Sequence, residues 1–282
     1  MQIEISDAGD PAHRAGVLAP LADYNAEQTG RRDEGGRFAV LLRDRDGAVA
    51  GGMYATHWMG WAKLEMSYLP EHRRGQGLGA RMLATLERAA VGRGCHGLWL
   101  QSFSVQAPGF YEKQGYAVVG RLQDRPPGHE DVFLAKEAGL GARPATLAVE
   151  FDCDPAHRAT LRTKLVAYTD ERAGPSETRD FALLVRDEDG AIQGGMWGHS
   201  GRFWLYIDLF GLPPDLRRAG LGTKLLGMAE AEARARGCIG LYLDTFSFQA
   251  RPFYEKHGLS VFGQIDNYPA GHVRYFLSKR WG

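Results

Sequence analysis

The residues best suited to chemistry form a glycine- and arginine-rich segment that occurs twice. Residues 74–79 have the sequence RGQGLG and residues 217–222 have RRAGLG, so Gly77 and Gly220 lie 143 residues apart. Each copy precedes a helical pattern. The first N–H groups of a helix lack internal acceptors and lie at the positive end of the helix dipole. Glycines let these amides approach a ligand, and arginines add charge-assisted hydrogen bonds. The chemistry this pattern favours is anion binding, phosphate above all.

Two familiar phosphate-binding loops do not fit this spacing. A Walker loop needs Gly-Lys-Ser/Thr, and a dinucleotide-binding loop needs Gly-x-Gly-x-x-Gly; neither copy has either sequence. A tight turn that simply begins a helix is the alternative for a single loop of this kind. The recurrence of the loop between a strand pattern and a helix pattern favours anion binding.

The repeat extends over the rest of the chain. Matched pairs at the same spacing of 143 residues are Phe38 with Phe181, Cys95 with Cys238, Tyr111 with Tyr254, and His129 with His272. A period of this length is the size of a whole domain and too long for a solenoid repeat. We therefore predict two fused homologous domains, residues 1–138 and 146–282. A Gly- and Pro-containing linker over residues 139–145 joins them.

Hydrophobic periodicity predicts the same elements in each copy. In the first copy a helix begins at Pro11, strands follow near residues 38–42, 48–58 and 61–69, and the glycine segment then begins an amphipathic helix. A short strand, a short helix and two closing strands complete the copy. The order β-α-β-β-β-α-β-α-β-β predicts the α/β class, with an α+β mixed and mostly antiparallel sheet flanked by helices in each domain.

Composition limits the possible classes of protein. The 282 residues include 34 basic and 34 acidic side chains, and this balance argues against a nucleic-acid partner. No apolar run approaches the ~20 residues of a membrane span, and the N-terminus lacks the form of a signal peptide. Three cysteines without a CxxC pair predict neither a disulfide framework nor a metal site. We expect a cytoplasmic protein with no membrane partner.

Taken together, the motifs resemble those of the GCN5-related N-acetyltransferases, known as the GNAT superfamily. The glycine segment at 74–79 and the later residues 109–116, GFYEKQGY, carry the resemblance, which recurs in the second copy and covers nearly all of both halves. It implies acetyl-CoA as cosubstrate and no metal. Where the family often has Asn before the short helix, this chain has Gln106 and Gln249.

The resemblance also implies a set of cofactor-binding residues in each copy. The pyrophosphate would lie on the backbone of the glycine segments, and the pantetheine arm would lie beside the preceding strand, where that strand diverges from the next one. The residues so implied are Tyr68, Leu69, Arg74, Gly75, Gln76, Gly77, Leu78 and Gly79 in the first copy and Gly211, Leu212, Arg217, Arg218, Ala219, Gly220, Leu221 and Gly222 in the second.

Acetyl transfer to an amine requires a proton acceptor for the amine and a proton donor for the leaving thiolate. By resemblance, Tyr111 and Tyr254 are the general acids, and a phenol with an ordinary pKa of about 10 is protonated at neutral pH. Their alternative role is to pack a short helix. Glu65 and Asp208 occupy equivalent places within apolar strands, where a carboxylate is costly unless it faces a cleft or a partner. Two roles are therefore possible for this pair, a general base or a strand residue held in a salt bridge.

The sequence thus predicts an acetyl-CoA-dependent N-acetyltransferase that acts on a primary amine of a small molecule by direct attack in a ternary complex. Two alternatives stay open: a protein or peptide N-acetyltransferase, and a CoA-binding regulatory module without turnover. The two copies are tethered at high effective concentration, which favours an intramolecular pseudo-dimer.

Overall fold

The computed structural model describes residues 1–32, 35–151, 153–218 and 220–281. The first repeat contains β1 (Gln2–Ser6), α1 (Pro11–Thr29), β2 (Gly36–Arg43), β3 (Val49–Trp58), β4 (Trp61–Tyr68), α2 (Leu78–Gly92), β5 (Gly97–Phe103), α3 (Pro108–Lys113), β6 (Ala117–Gln123) and β7 (Glu130–Lys136). The second contains β8 (Glu150–Phe151), α4 (Pro155–Ala173), β9 (Arg179–Arg186), β10 (Ile192–Gly201), β11 (Trp204–Gly211), α5 (Leu221–Ala235), β12 (Gly240–Phe246), α6 (Arg251–Lys256), β13 (Ser260–Asp266) and β14 (Val273–Arg280). The predicted element order and the mixed α/β class are confirmed.

Local sequence signals determine where the two longest helices begin. The Asp10 carboxylate accepts a hydrogen bond from the Ala12 amide at 2.8 Å, and the Asp154 carboxylate accepts one from Ala156 at the same distance. A proline follows each of these aspartates, at the helix position where its missing N–H costs nothing. Both repeats therefore begin their first helix with the same Asp-Pro device.

The strands form one 14-stranded sheet in the order β1-β9-β10-β11-β12-β14-β13-β6-β7-β5-β4-β3-β2-β8. Most neighbours are antiparallel, and the parallel pairs are β4 with β5 and β11 with β12. The two repeats meet at β6 and β13, where Gly120 is paired with Gly263. A Cβ atom on Gly120 would lie 2.9 Å from the Gly263 Cα, so the close approach of these strands needs glycine.

The opening strand and helix of each repeat belong to the sheet of the other repeat. β1 pairs with β9, with Ile3 opposite Val185, and β8 pairs with β2, with Phe38 opposite Phe151. Helix α1 packs on β10 and β11, and α4 packs on β3 and β4. The sequence repeats and the spatial units consequently differ. We call residues 36–136 with 150–173 the first half, and residues 2–29 with 179–280 the second half.

Each half has a core between its sheet and its long central helix, and a third core lies between the halves. The third core is rich in aromatic side chains, among them Trp61, Trp99, Tyr268 and Phe276. Trp61 and Tyr268 stack with ring centroids 5.2 Å apart, although one belongs to each half. The predicted linker packs along α2, where a Cβ atom on Gly141 would lie 2.9 Å from Cγ2 of Val91. The faces of β4 and β11 that contact this third core also carry the polar residues considered next.

Candidate functional site

Each half contains a gap between two parallel strands. Strands β4 and β5 pair only from Trp61 with Gly97 to Leu64 with Leu100, although both strands continue beyond those residues. Strands β11 and β12 likewise pair only as far as Ile207 with Leu243. Beyond these points the strands diverge, and a cavity opens between them, as predicted for the strand before the glycine segment.

A glycine loop lies at the mouth of each cavity. Gly77 and Gly220 are the N-cap residues of α2 and α5 and have left-handed backbone angles, with φ of 73° and 79°. The first helical hydrogen bonds run from Arg81 to Gly77 and from Lys224 to Gly220, both at 3.1 Å. The amides before Arg81 and Lys224 therefore point out of the helix ends. A Cβ on Gly77 or Gly220 would enter open space, which is the shape that a phosphate group requires.

The structure brings most of the predicted cofactor-binding residues to these cavities. In the first half, the lining residues from the predicted set are Tyr68, Leu69, Arg74, Gly75, Gly77, Leu78 and Gly79. In the second half they are Gly211, Leu212, Arg217, Arg218, Gly220 and Gly222. Gln76 instead donates to the His72 carbonyl at 3.3 Å, and the Leu221 side chain packs against the second core. Ala219 lies outside the described residues.

The two loop arginines hold the loops against the exchanged helices. Arg74 Nε donates to the Leu69 carbonyl at 2.8 Å, and its guanidinium lies 4.7 Å from the Tyr168 ring centroid. Arg217 does the same with Leu212 at 2.8 Å and with the Tyr24 ring at 4.5 Å. Tyr168 lies on α4 and Tyr24 on α1, so each loop is supported by a helix from the other repeat.

Each cavity also contains one of the predicted tyrosines. Tyr111 on α3 and Tyr254 on α6 are buried, and burial raises the pKa of both phenols. A side-chain hydrogen bond with Ser67 partly offsets the shift in the pKa of Tyr111. In the second half Phe210 occupies the place of Ser67, with its ring centroid 6.5 Å from that of Tyr254. Both phenols therefore stay protonated at neutral pH.

The two predicted carboxylates lie at β-bulges. In the pairing of β3 with β4, Tyr54 is opposite Met66 and Ala55 is opposite Leu64, which leaves Glu65 as the extra residue. Asp208 is the extra residue in the same way between β10 and β11. A bulge re-aims the side chain that it carries and is frequent beside active sites. Both side chains line cavities.

Glu65 is firmly held as a carboxylate. Arg158 Nε donates to its Oε2 at 2.7 Å, and the Thr56 hydroxyl donates to its Oε1 at 3.1 Å. Burial by itself raises the pKa of Glu65. The positive charges of Lys63 and Arg158 and these hydrogen bonds outweigh it, so that the net pKa is lowered. Glu65 is consequently a weak proton acceptor.

Asp208 is held more loosely. The nearest guanidinium atom, Arg14 Nη2, lies 3.7 Å from its Oδ2, and the Asp208 side chain is 38% exposed to the cleft. Desolvation nevertheless raises the pKa of Asp208, and the charges of Lys63 and Arg14 only partly oppose the shift. Asp208 is therefore the better proton acceptor of the two carboxylates.

The exchanged helices contribute contacts that the sequence analysis missed. Gln106 Nε2 donates to the Thr169 hydroxyl at 2.9 Å, and Gln249 Nε2 donates to Asn25 Oδ1 at 2.7 Å. The Oε1 atoms of both glutamines accept backbone amides, from Phe103 and Phe246. The equivalent spacings of Arg14 and Arg158 and of Asn25 and Thr169, 144 residues, were the available signal. Only the structure shows that each helix serves the opposite repeat.

The cavities differ in size and in how far they extend. The cavity of the first half measures about 440 Å³ and that of the second about 990 Å³. The larger cavity reaches across the boundary between the halves, because Trp58, Lys63 and Glu65 of the first half line it together with Asp208 and Tyr254. Glu65 lines both cavities. We call these cavities the first site and the second site.

A mixed sheet with two diverging parallel strands, a glycine loop at a helix N-terminus and a buried tyrosine defines an acyl-CoA-dependent transferase. The chain belongs to the acetyltransferase (GNAT) family, whose model matches it twice, at residues 4–116 and 149–259. The resemblance seen in the sequence is thereby confirmed, and the protein is an N-acetyltransferase of the GNAT type for which acetyl-CoA is the implied acetyl donor.

Relatives match the chain over about one repeat. Acetyltransferase Atu2258 of Agrobacterium fabrum is 40% identical over 121 residues, covering 43% of this chain and 88% of the relative. The blasticidin-S acetyltransferase of Streptomyces morookaense is 36% identical over 137 residues, covering 48% and 96%. A crystal structure of an acetyltransferase from Bacillus cereus is 31% identical, with a TM-score of 0.43, and covers 46% of this chain and 94% of that one. One repeat of this chain thus covers most of the length of the relatives from Agrobacterium fabrum and Streptomyces morookaense.

The described residues contain neither a candidate metal site nor a candidate membrane-spanning helix. Those ranges hold no group of three or more His, Cys, Asp or Glu side chains placed to bind a metal ion. No helix within them is long and apolar enough to cross a membrane.

Proposed function

We propose that the protein transfers the acetyl group of acetyl-CoA to a primary amine of a small molecule by direct attack in a ternary complex, and that the second site carries out the reaction. The observation that carries the proposal is the second cavity, which holds a glycine loop, Tyr254 and Asp208 together with room for an acceptor. Its volume of about 990 Å³ lies at the upper end of the range for small-molecule sites, roughly 300–1,000 Å³. A relative that acetylates blasticidin-S supports a small-molecule acceptor.

The acetyl donor fits the residues present in both halves. The outward-pointing amides of residues 77–80 and 220–223 would hold its pyrophosphate, and the gap beside Tyr68–Leu69 or Gly211–Leu212 would hold its pantetheine arm. When bound, the thioester supplies an activated acetyl group. We therefore propose that both sites bind acetyl-CoA.

The side chains of the second site suit the two proton transfers that the reaction needs. Asp208 accepts the proton of the attacking amine, directly or through one water, because its raised pKa makes it a stronger base than an ordinary aspartate. As the new amide N–C bond forms and the C–S bond breaks, Tyr254 donates its proton to the leaving thiolate. Burial keeps the phenol protonated until that moment.

The first site has the same parts in a less reactive arrangement. Its carboxylate, Glu65, is paired with Arg158 and Thr56, and burial does not overcome the lowering of its pKa. Its cavity has less than half the volume of the second. We propose that the first site binds acetyl-CoA and contributes little to turnover.

The exchange of opening segments supports a further part of the proposal, that the two repeats act as an intramolecular pseudo-dimer. Each glycine loop contacts a tyrosine of the other repeat, Tyr168 or Tyr24. The domain limits 1–138 and 146–282 are proposed as the limits of the sequence repeats.

A thiol-release assay tests the function directly. The full chain is incubated with acetyl-CoA and a panel of primary amines that includes small molecules, a lysine peptide and a peptide with a free N-terminus. We expect thiol release with small-molecule amines and acetylated products by mass spectrometry. Faster turnover with the peptides would make the protein a peptide acetyltransferase. CoA binding without thiol release for any amine would leave only a CoA-responsive module.

A further inference from the structure

Among the described residues that line the acceptor part of the second site, Lys63 is the cation without an ion-pair partner. Three carboxylates line this cavity, and each has a guanidinium partner in hydrogen-bond or ion-pair contact. The pairs are Glu65 with Arg158 at 2.7 Å, Asp208 with Arg14 at 3.7 Å, and Asp244 with Arg274 at 2.8 Å. The remaining lining cations are Lys63, Arg217 and Arg218. Arg217 and Arg218 belong to the second glycine loop, at the proposed pyrophosphate end of the cavity.

The Lys63 ammonium is oriented by packing and has no ion-pair partner in the described chain. Nζ lies 4.9 Å from the centroid of the Trp99 ring, and no carboxylate of the described residues comes within 4.0 Å of it. A lysine ammonium is a compact charge with three donors, which suits a ligand anion. Its position in the cavity wall therefore leaves one positive charge and its hydrogen-bond donors available to a bound molecule.

Lys63 comes from the first half but lies near the base of the second site. It precedes Glu65 by two residues on β4, and both side chains line the second cavity. Its charge acts on the carboxyl group of Asp208. The equivalent residue in the second half is Tyr206, whose hydroxyl donates to Asp244 at 2.9 Å. The ammonium thus occurs in one half only, and it lines the second cavity and not the first.

We propose that Lys63 binds an anionic group of the acceptor, so that the substrate of the second site is a primary amine that also carries a carboxylate. This inference rests on the proposed function and specifies its substrate class. Asp208 receives the amine end and Lys63 receives the carboxylate end, and the two residues come from opposite halves of the molecule. An acceptor without the anion leaves the ammonium unpaired in the cavity wall.

The test uses acceptors in matched pairs, each a primary amine supplied as a carboxylic acid and as its carboxamide. Steady-state thiol release is measured with the full chain, with Lys63→Met, and with Lys256→Met, an exposed lysine on α6 that serves as the control. We expect the native chain to have a KM about tenfold lower for the acid, the scale of one charge-assisted hydrogen bond. Lys63→Met should remove this preference through a rise in KM for the acid alone. Lys256→Met should keep it.

The acid-to-amide ratio separates recognition from indirect effects. A change in the base Asp208 or in folding would alter turnover of both members of a pair equally, whereas loss of an anion contact alters only the acid. Equal KM values for acid and amide with the native chain, or an equal rise for both in Lys63→Met, would overturn the inference. Neither result would affect the proposed transfer to a small amine.

Failure of the proposed function has a different signature. If no amine in the panel is acetylated, calorimetric titration of the CoA-loaded chain with the same acids and amides decides the inference by itself. Tighter binding of the acids that is lost in Lys63→Met would support it, and equal binding of acids and amides would contradict it.

Discussion

The first and second sites are built on the same backbone and differ in what surrounds the carboxylate. Both have diverging parallel strands, a left-handed glycine at the helix N-cap, and a bulge that aims an acidic side chain into the cavity. In the first site Arg158 and Thr56 hold Glu65, whereas in the second Arg14 reaches Asp208 only at 3.7 Å. The two copies therefore share the glycine loop and the gap between strands, and they differ in the contacts of the carboxylate.

One methylene group and one neighbour are enough to shift the pKa values of Glu65 and Asp208 in opposite directions, although the two residues occupy equivalent places. Glu65 is longer than Asp208 and reaches its arginine in full hydrogen-bond contact. The pKa of Glu65 is therefore lowered and that of Asp208 is raised, although both are partly desolvated.

Removal of the two phenol hydroxyls should give the largest difference between the sites. We expect Tyr254→Phe to lower kcat about 100-fold or more, the usual contribution of a general acid, and Tyr111→Phe to change it less than about threefold. Thiol release at saturating acetyl-CoA measures both. Equal losses in the two variants would show that both sites turn over, and a loss confined to Tyr111→Phe would move catalysis to the first site.

The two halves should also differ in how much stability the protein loses when an equivalent ion pair is broken. Glu87 on α2 is fully buried and accepts from Lys136 at 3.0 Å and from the Tyr116 hydroxyl at 3.1 Å. Its counterpart Glu230 is partly exposed beside Lys279. Loss of the Lys136 ammonium leaves the buried Glu87 carboxylate with the more distant Arg143 guanidinium, 3.6 Å away, as its remaining cation. Lys136→Met should therefore lower the free energy of unfolding by about 3 kcal/mol.

The matched variant Lys279→Met should cost about 1 kcal/mol, because water reaches the pair that it breaks. Chemical denaturation of the two variants measures the difference. Equal destabilisation would show that the difference in burial between the two ion pairs has no effect on stability.

The two glycine loops should respond alike to substitution, in contrast to the two carboxylates. In Gly77→Ala or Gly220→Ala, the left-handed backbone strains an alanine by about 1–2 kcal/mol, and the added Cβ enters the space left for phosphate. We expect each variant to weaken CoA binding at its own site about tenfold or more. Isothermal titration should show two CoA per native chain and one strong site per variant. One CoA per native chain would refute the proposal of two cofactor sites.

The pH dependence gives the smallest and most specific test. Asp208 acts when it is deprotonated, so kcat/KM should rise with pH through its pKa, which lies above the ordinary value for aspartate. The charge of Arg14 lowers this pKa, so Arg14→Met should move the rise to higher pH. Arg158→Met should leave the rise in place, because Arg158 acts on Glu65.

An acceptor whose amine is neutral across the measured range isolates the titration of the enzyme. If Arg158→Met shifted the pH at which kcat/KM rises and Arg14→Met did not, Glu65 would be identified as the base.

Much of the fold was predictable because its signals are local. The Asp10-Pro11 and Asp154-Pro155 pairs mark helix starts, the alternation along β4 marks a strand, and the two glycine segments fix the cavity mouths. These signals depend on neighbours in the sequence. Tyr111 and Tyr254 were assigned by the family resemblance, and each lines the same cavity as a glycine loop. The roles of the two tyrosines stay predictions.

The exchange of β1 and α1 with β8 and α4 was not predictable from the repeat. Because the copies are homologous, Val17 of α1 finds an equivalent apolar surface on either sheet, and the pattern of residues is the same in both arrangements. The unequal neighbours of Glu65 and Asp208 depend on that exchange, since Arg158 and Arg14 arrive on the exchanged helices. Such differences arise from tertiary contacts between residues about 90 to 190 positions apart.

The exchanged segments also limit how far the protein can fold while it is being synthesised. Strand β1 pairs with β9, and Ile3 lies opposite Val185, so β1 is synthesised about 180 residues before its partner strand. At roughly 5–20 residues per second, that interval is on the order of ten seconds or longer. Closure of so long a loop also slows folding, because its entropy must be lost before the strand contacts form. The nascent chain therefore carries an unpaired strand and an uncovered helix face through most of its synthesis, and neither repeat can reach its final structure before the other.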